Sequence, residues 1–426
     1  MERKVEGKVE GNMWRSVSCL LLLCWVGVGM SAAPVWAAPE EVRADRQAAL
    51  AVGAFAVDVY RQLAQEKGNL FFSPYSIASA LAMTYAGARG TTAEELGNVL
   101  HFSEAGELHA SMKALQDRLA AIPEGAGVFD TANRLWLDEK TQLLPDYTAL
   151  VQENYGGGVE QVDFLENAEG ARKTINDWVA QKTRDKIEDL LRPGDVTRFT
   201  RLVLTNAVYF NSAWRDPFKE NLTKEEPFHI DKGRRKNVPI MHRQGFFLYG
   251  EEPGLQLLKI PYRIPGFSLL ILLPRENESF TQLEELEKNL TSQAFAAWTA
   301  GVKRREVRLW LPKFKNEGRY LLKEVLQKLG VKLAFTEEAD FSGMTISSDE
   351  KKEDICIDSV IHQSFIELNE KGTEAAAATA VVARMTSTAL PGKTEPVDFR
   401  ADHPFIYCLM DDTTGTILFM GRLVEP

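Results

Sequence analysis

The sequence predicts one large mixed α+β domain preceded by a short export leader. Three observations carry that prediction. Helical periodicity dominates the first half of the chain, buried-strand runs dominate the second, and the two interleave without regular βαβ spacing. No internal repeat, Pro/Gly/Ser-rich linker or block of like charge divides the pattern. The 426 residues could supply two or three average domains, but an undivided pattern reads as one.

The leader comes first. Arg15 precedes an apolar run from Cys19 to Met30, and the small residues Ser31, Ala32 and Ala33 follow. Val35-Trp36-Ala37 then offers a cleavage site, with Ala38 a near alternative, so residues 1–37 read as a secretory signal and residues 38–426 as the mature domain. The apolar run is shorter than the roughly 20 residues a spanning helix needs. An uncleaved anchor is the alternative, and Met13 is an alternative start. Secretion to the extracellular space is therefore expected, or to the periplasm in a Gram-negative bacterium. No membrane association is expected after cleavage.

The leader carries a net charge of +1, so its removal takes the chain from -10 to -11. That balance argues against a general nucleic-acid binder or a basic membrane-surface protein. Four cysteines exclude a disulfide scaffold, and six histidines leave little room for a His-rich metal site. Only Cys356 and Cys408 survive cleavage. Both sit in apolar, strand-like runs and read as buried free thiols, with a bridge as the alternative.

Residues 45–66 carry Leu50, Phe55, Val59 and Leu63 at helical spacing. Ser73-Pro74 starts a second helix that stops at Gly87. Thr91 or Thr92 can cap a third, with Glu94 and Glu95 in its first turn. Residues 201–210, 267–273 and 416–420 read as buried strands, and Glu306–Leu311 alternates as a strand with one solvated face. Helical signals return at 282–299 and 320–329. From Glu370 a stretch of about 29 residues fits neither pattern, and a loop that long inside a compact domain is functional or disordered.

Four sequence blocks now bear on identity. Glu370-Lys371-Gly372-Thr373-Glu374-Ala375-Ala376-Ala377-Ala378-Thr379 opens the long loop, and Phe399-Arg400-Ala401-Asp402-His403-Pro404-Phe405-Ile406 follows it. Upstream stand Asn69-Leu70-Phe71-Phe72-Ser73-Pro74-Tyr75-Ser76-Ile77 and Leu204-Thr205-Asn206-Ala207-Val208-Tyr209-Phe210, the latter continued by Trp214 and Pro217-Phe218. In that order they resemble the serpins, specifically the inhibitory branch, over essentially the whole mature chain. The resemblance implies an α+β multi-sheet fold with three β-sheets, eight or nine helices and an exposed reactive-centre loop over about 370–398. It also implies a covalent trap: a target serine protease cuts the loop, which then inserts as a new central strand of the largest sheet.

The residues themselves permit insertion. Started at Thr373, one face of the strand carries Thr373, Ala375, Ala377, Thr379, Val381 and Ala383, all small or β-branched and uncharged. The charges Glu374 and Arg384 fall on the other face, and a one-residue shift would turn both inward. No proline lies between Gly372 and Ser387. Counting along the family pattern puts the reactive bond at Thr386–Ser387, with Met385–Thr386 and Arg384–Met385 as alternatives. Thr or Met suits an elastase-like or subtilisin-like target, and Arg384 a trypsin-like one.

The resemblance further assigns Ser73, Ser76, Asn206 and His362 to a polar shutter beneath the central sheet. It assigns Lys313 and Glu370 to a surface ion pair at the head of that sheet, with Trp214 beneath. Plain core packing is the alternative for the shutter and for Trp214. Arg234-Arg235-Lys236 and Lys303-Arg304-Arg305 read as solvated faces, and Asn221, Asn277 and Asn289 begin glycosylation sequons. Motifs for nucleophile elbows, zinc proteases and nucleotide binding are missing from the mature sequence. The reading is thus a monomeric inhibitor with no cofactor and no metal, not an enzyme. The alternatives are a non-inhibitory carrier, chaperone or storage member, or an inhibitor of papain-like cysteine proteases.

Overall fold

The computed structural model describes residues 39–102, 105–156, 158–275, 282–345, 355–373 and 395–426. The first half runs α1 (Pro39–Leu63), β1 (Leu70–Phe72), α2 (Pro74–Gly87), α3 (Gly90–Val99), α4 (Ala105–Ala120), β2 (Val128–Asp138), α5 (Pro145–Tyr155), β3 (Val159–Val162) and α6 (Phe164–Lys182). Then come β4 (Leu202–Ala213), β5 (Lys224–His229), β6 (Arg235–Glu252), β7 (Leu255–Pro261), β8 (Phe267–Pro274), α7 (Gln282–Asn289) and α8 (Ser292–Ala300). The last third holds β9 (Lys303–Pro312), β10 (Phe314–Leu321), α9 (Lys323–Leu329), β11 (Ser359–Leu368), β12 (Gly372–Thr373), β13 (Val397–Arg400), β14 (Phe405–Asp411) and β15 (Thr416–Leu423).

Local chemistry accounts for most boundaries. Ser73 caps α2, its hydroxyl accepting from the Ser76 N–H at 3.2 Å, with Pro74 in the first turn. Because α2 is buried nearly all round, it is a central helix rather than a surface one. In α1 the core face is Val52, Phe55, Ala56, Val59, Tyr60 and Leu63. Leu50 is 72% exposed, because five residues before Phe55 lie about 140° round the axis. The third helix begins at Gly90, ahead of the expected threonine caps; Thr92 is buried and accepts from the Asp340 N–H at 3.0 Å. The helical signal at 282–299 splits where the Thr291 hydroxyl caps α8. The one at 320–329 is shortened because β10 continues to Leu321.

The strands form a six-stranded sheet, ordered β10-β11-β12-β4-β2-β3, and a nine-stranded one. The second and third sheets expected from the sequence share β6, which is 18 residues long. Its first part pairs with β5, its middle with β9 and its end with β7, so both join one hydrogen-bonded ladder. Nine α-helices stand among the described residues. Cys408 is fully buried and Cys356 half-buried, and both are free thiols. Cys356 is the less covered because it precedes β11 instead of lying in a strand. Among the described residues no helix is long and apolar enough to cross a membrane.

The main core lies between the two sheets and under α1 and α2, and a second, smaller core lies under α6 on the opposite face of the six-stranded sheet. Arg422 ties the main core to the end of α1. It is 5% exposed and donates to the backbone oxygens of Gly68 at 2.8 Å, Ala64 at 3.2 Å and Glu66, and to the Glu287 carboxylate at 2.8 Å. Replacing it by Met leaves Glu287 and these carbonyls without their cation. The expected loss is about 3–5 kcal/mol in denaturant unfolding; a loss below about 1 kcal/mol would mean the cluster is no stronger than a surface pair.

Candidate functional site

The six-stranded sheet contains a parallel seam. Strands β4 and β11 pair directly from Ser359↔Val203 to Ser364↔Val208. Above that stretch they diverge, and the two residues of β12 sit between them, antiparallel to both. The start of the long loop is therefore already lodged at the head of the seam.

Backbone geometry demands glycine here. Gly372 has φ +152°, and a Cβ on it would lie 2.2 Å from the Ser212 oxygen. Thr373 is 1% exposed, and its hydroxyl meets the Tyr262 hydroxyl at 2.6 Å. The Trp214 ring stacks on Tyr262, with centroids 4.5 Å apart. Trp214 also donates its indole N–H to the Asn369 oxygen and its backbone N–H to the Lys371 oxygen, both at 2.9 Å. It thus holds the start of the loop by two hydrogen bonds in addition to filling core.

Glu370 is only 7% exposed, which corrects the expectation of a surface pair. Its carboxylate accepts from Lys313 Nζ at 3.0 Å and from the Thr223 hydroxyl at 2.8 Å. Burial alone would raise its pKa, but these donors hold the carboxyl below its ordinary range. The carbonyl of Glu370 also accepts from the Phe218 N–H at 2.9 Å.

Lower in the sheet, Asn133 on β2, Asn206 on β4, His362 on β11 and Tyr320 on β10 stand in one register row. His362 Nε2 accepts from the Ser73 N–H at 3.0 Å, which requires the neutral ring, and burial holds its pKa down to about 3. Ser73 donates its hydroxyl to the Leu418 oxygen at 2.6 Å, and Ser76 donates to Asn133 Oδ1. Ser73, Ser76, Asn206 and His362 are all fully buried. Asn206 and His362 face each other across the seam, yet neither Asn206 amide atom nor His362 Nδ1 has a hydrogen-bond partner among the described residues. Such buried groups cost free energy until something satisfies them.

The structure thus brings together Glu370, Gly372, Thr373, Lys313 and Trp214 at the head of the seam, and Ser73, Ser76, Asn206 and His362 along it. Glu374, Ala375, Ala376, Ala377, Ala378 and Thr379 lie outside the described residues, as do Arg384, Met385, Thr386 and Ser387. Sequence reasoning missed Asn133, Thr223 and Tyr262. Asn133 left one signal, since asparagine is disfavoured inside a strand and here interrupts a β-like run. Thr223 and Tyr262 left none, because their partners lie 147 and 111 residues away.

A profile of the family Serpin (serine protease inhibitor) matches residues 50–426. The chain is 40% identical over 379 residues to an uncharacterized serpin-like protein of Thermococcus kodakarensis, covering 88% of this chain and 85% of that one. It is 39% identical over 382 residues to the leukocyte elastase inhibitor of Homo sapiens, covering 87% and 97%. Its fold matches the crystal structure of Serpin48, a highly specific serpin of the insect Tenebrio molitor, with TM-score 0.78, 33% identity and coverage of 90% and 98%.

Glu370 makes a pH prediction. Its pKa is lowered in the folded state, so its contribution is full above the unfolded value and is lost as pH falls through the folded one. Thermal unfolding of wild type and Glu370→Gln should differ at neutral pH and converge in acid. A gap that does not change with pH would show that the ion pair does not secure the start of the loop.

Proposed function

The chain belongs to the serpin family, and from that premise we propose that it is a secreted inhibitor of serine endopeptidases that traps its target covalently by inserting its cut loop into the six-stranded sheet. One observation carries the reading: a directly paired parallel seam whose head already holds Gly372 and Thr373 from the start of the loop.

Register supports it. Thr373 faces Ser212 on β4 and Leu368 on β11. Six steps along the loop, antiparallel to both strands, bring Thr379 opposite Asn206 and His362 together. Those two residues are register partners of each other, so the two counts agree. A hydroxyl would then enter between buried polar atoms that lack partners. By the same count Ala377 meets Val208 and Ser364, Val381 meets Leu204 and Val360, and Val382 meets the last seam pair, Val203 and Ser359.

The chemistry belongs to the protease. Its serine attacks the carbonyl of Thr386, the peptide bond to Ser387 breaks, and the new amine leaves with the C-terminal piece while an ester joins protease and inhibitor. Insertion relaxes the tether and adds on the order of 1 kcal/mol net per backbone hydrogen bond, besides apolar burial. Dragging the ester away distorts the oxyanion hole and stops hydrolysis. Thr386 or Met385 at the cut, and relatives named leukocyte elastase inhibitor, favour an elastase-like or subtilisin-like target. The leader at residues 1–37 supports secretion, and an exported chain should begin at Ala38.

Mixing the protein with elastase-like, subtilisin-like, trypsin-like and papain-like proteases tests the reading. An SDS-resistant band at the summed mass less the released piece 387–426 is expected with a serine protease, and loop-cut protein should resist heat better than uncut. Cutting with no complex and no gain in heat resistance would instead favour a non-inhibitory member. Thr379→Arg would place an unpaired charge beside fully buried neighbours, so complex yield should fall about tenfold or more while cutting continues.

A further inference from the structure

The chain does not take a short route from α6 to β4. After Lys182 it crosses the outer face of the seam. Arg184 pairs with Asp130 on β2 at 3.4 Å and lies 5.4 Å above the Tyr209 ring on β4. Two residues later Lys186 Nζ is 5.9 Å above the Phe365 ring on β11. The reversal between them uses Arg184 and Asp185 in the left-handed region, φ 54° and 59°. Beyond, the Leu190 oxygen accepts from Arg319 Nε on β10 at 3.0 Å, and the Asp195 carboxylate pairs with the same guanidinium. The chain then returns, and the N–H groups of Arg201 and Leu202 donate to Asp358 at 2.7 and 3.0 Å.

This crossing segment is fixed firmly on the β2–β4 side. Asn176 on α6 exchanges two hydrogen bonds with the Leu191 backbone, at 2.9 and 2.8 Å. Trp178 on α6 packs edge-on against Trp136 on β2, under the Arg134 guanidinium at 4.2 Å, and Trp136 donates to Thr205 on β4 at 2.8 Å. On the far side, β10 holds it through Arg319 alone among the polar contacts described above. Both Arg319 and Asp195 are largely buried, at 14% and 18% side-chain exposure. Below the crossing, Ile187, Leu190 and Leu191 pack with Val203 on β4 and Ile361 on β11, one residue from each side of the seam.

Admitting a strand moves β10 and β11 away from β4 by about 4.8 Å. A hydrogen bond cannot stretch that far. We propose that residues 183–195 form a strap across the seam and that Arg319 is its releasable fastening, so that breaking the Arg319–Asp195 and Arg319–Leu190 contacts sets how fast the loop inserts. This rests on the insertion mechanism proposed above. Arg319 is a positioning residue: it acts on the loop through the strap. The loop register strengthens the case, since Ala376 would enter between Tyr209 and Phe365, beneath the crossing of Arg184 to Lys186.

The test uses the full protein and the variants Arg319→Gln, Asp195→Asn and the double. Uncut protein is warmed, and its spontaneous conversion to a urea-resistant, loop-inserted form is timed. Each single variant should convert roughly tenfold faster, the scale of one lost charge-assisted contact, and the double no faster than either. Loop-cut forms of all four proteins should unfold at the same temperature, because their strap is already released. Wild-type conversion rates in the variants, or an equal stability loss in cut and uncut forms, would make Arg319 ordinary packing and overturn the strap. Asp195→Asn keeps the test open should Arg319→Gln fail to fold. If loop-cut wild type gains no heat resistance, insertion itself falls and takes the strap with it; if wild type gains and the variants convert at its speed, the strap alone falls.

Discussion

Six register pairs between two parallel strands, β4 and β11, are the constraint on which the molecule depends. Parallel pairing is slightly weaker per residue than antiparallel pairing, and here it joins the two halves of the six-stranded sheet. Antiparallel ladders flank it on both sides, β10 with β11 and β2 with β4. The seam is therefore the natural place for the sheet to part. A strand entering antiparallel to both neighbours replaces one parallel ladder by two antiparallel ones. In the proposed mechanism that exchange drives trapping, and the native state persists as a matter of rate.

Three levels of structure bear on the seam. At its head Trp214, Tyr262, Thr223 and Lys313 hold residues 369–373 by hydrogen bonds. Along it, the row of Asn133, Asn206 and His362 keeps polar atoms buried, some of them without partners. Outside it, the segment after α6 spans both halves. Side chains of β10 and β11 also support β1 from below: the Phe71 oxygen accepts from Ser364, the Phe71 N–H donates to Tyr320 and the Ser73 N–H donates to His362. In the proposed mechanism, movement of the seam would thereby be coupled to β1 and the cap of α2.

Much of this was legible before any coordinates. The Ser73-Pro74 start and Gly87 end of α2 follow from capping chemistry and hold to the residue. The apolar runs that became β4, β8 and β15 follow from burial on both faces. Two local readings yielded to tertiary contacts: Thr92 spends its hydroxyl on Asp340 and so caps nothing, and Glu370 is drawn under Thr223 and Lys313.

By itself, the sequence determined a mixed single domain and a loop whose alternation suits a strand. These are local properties, set by side-chain period, turn chemistry and the absence of proline. Only the tertiary structure decided that β4 and β11 touch, that Asn133 joins their polar row, and that residues 183–195 lie across them. Each of these joins segments far apart in the chain, and no local propensity records which distant backbone will supply a hydrogen bond. Two strands become a seam only when the whole sheet is assembled around them.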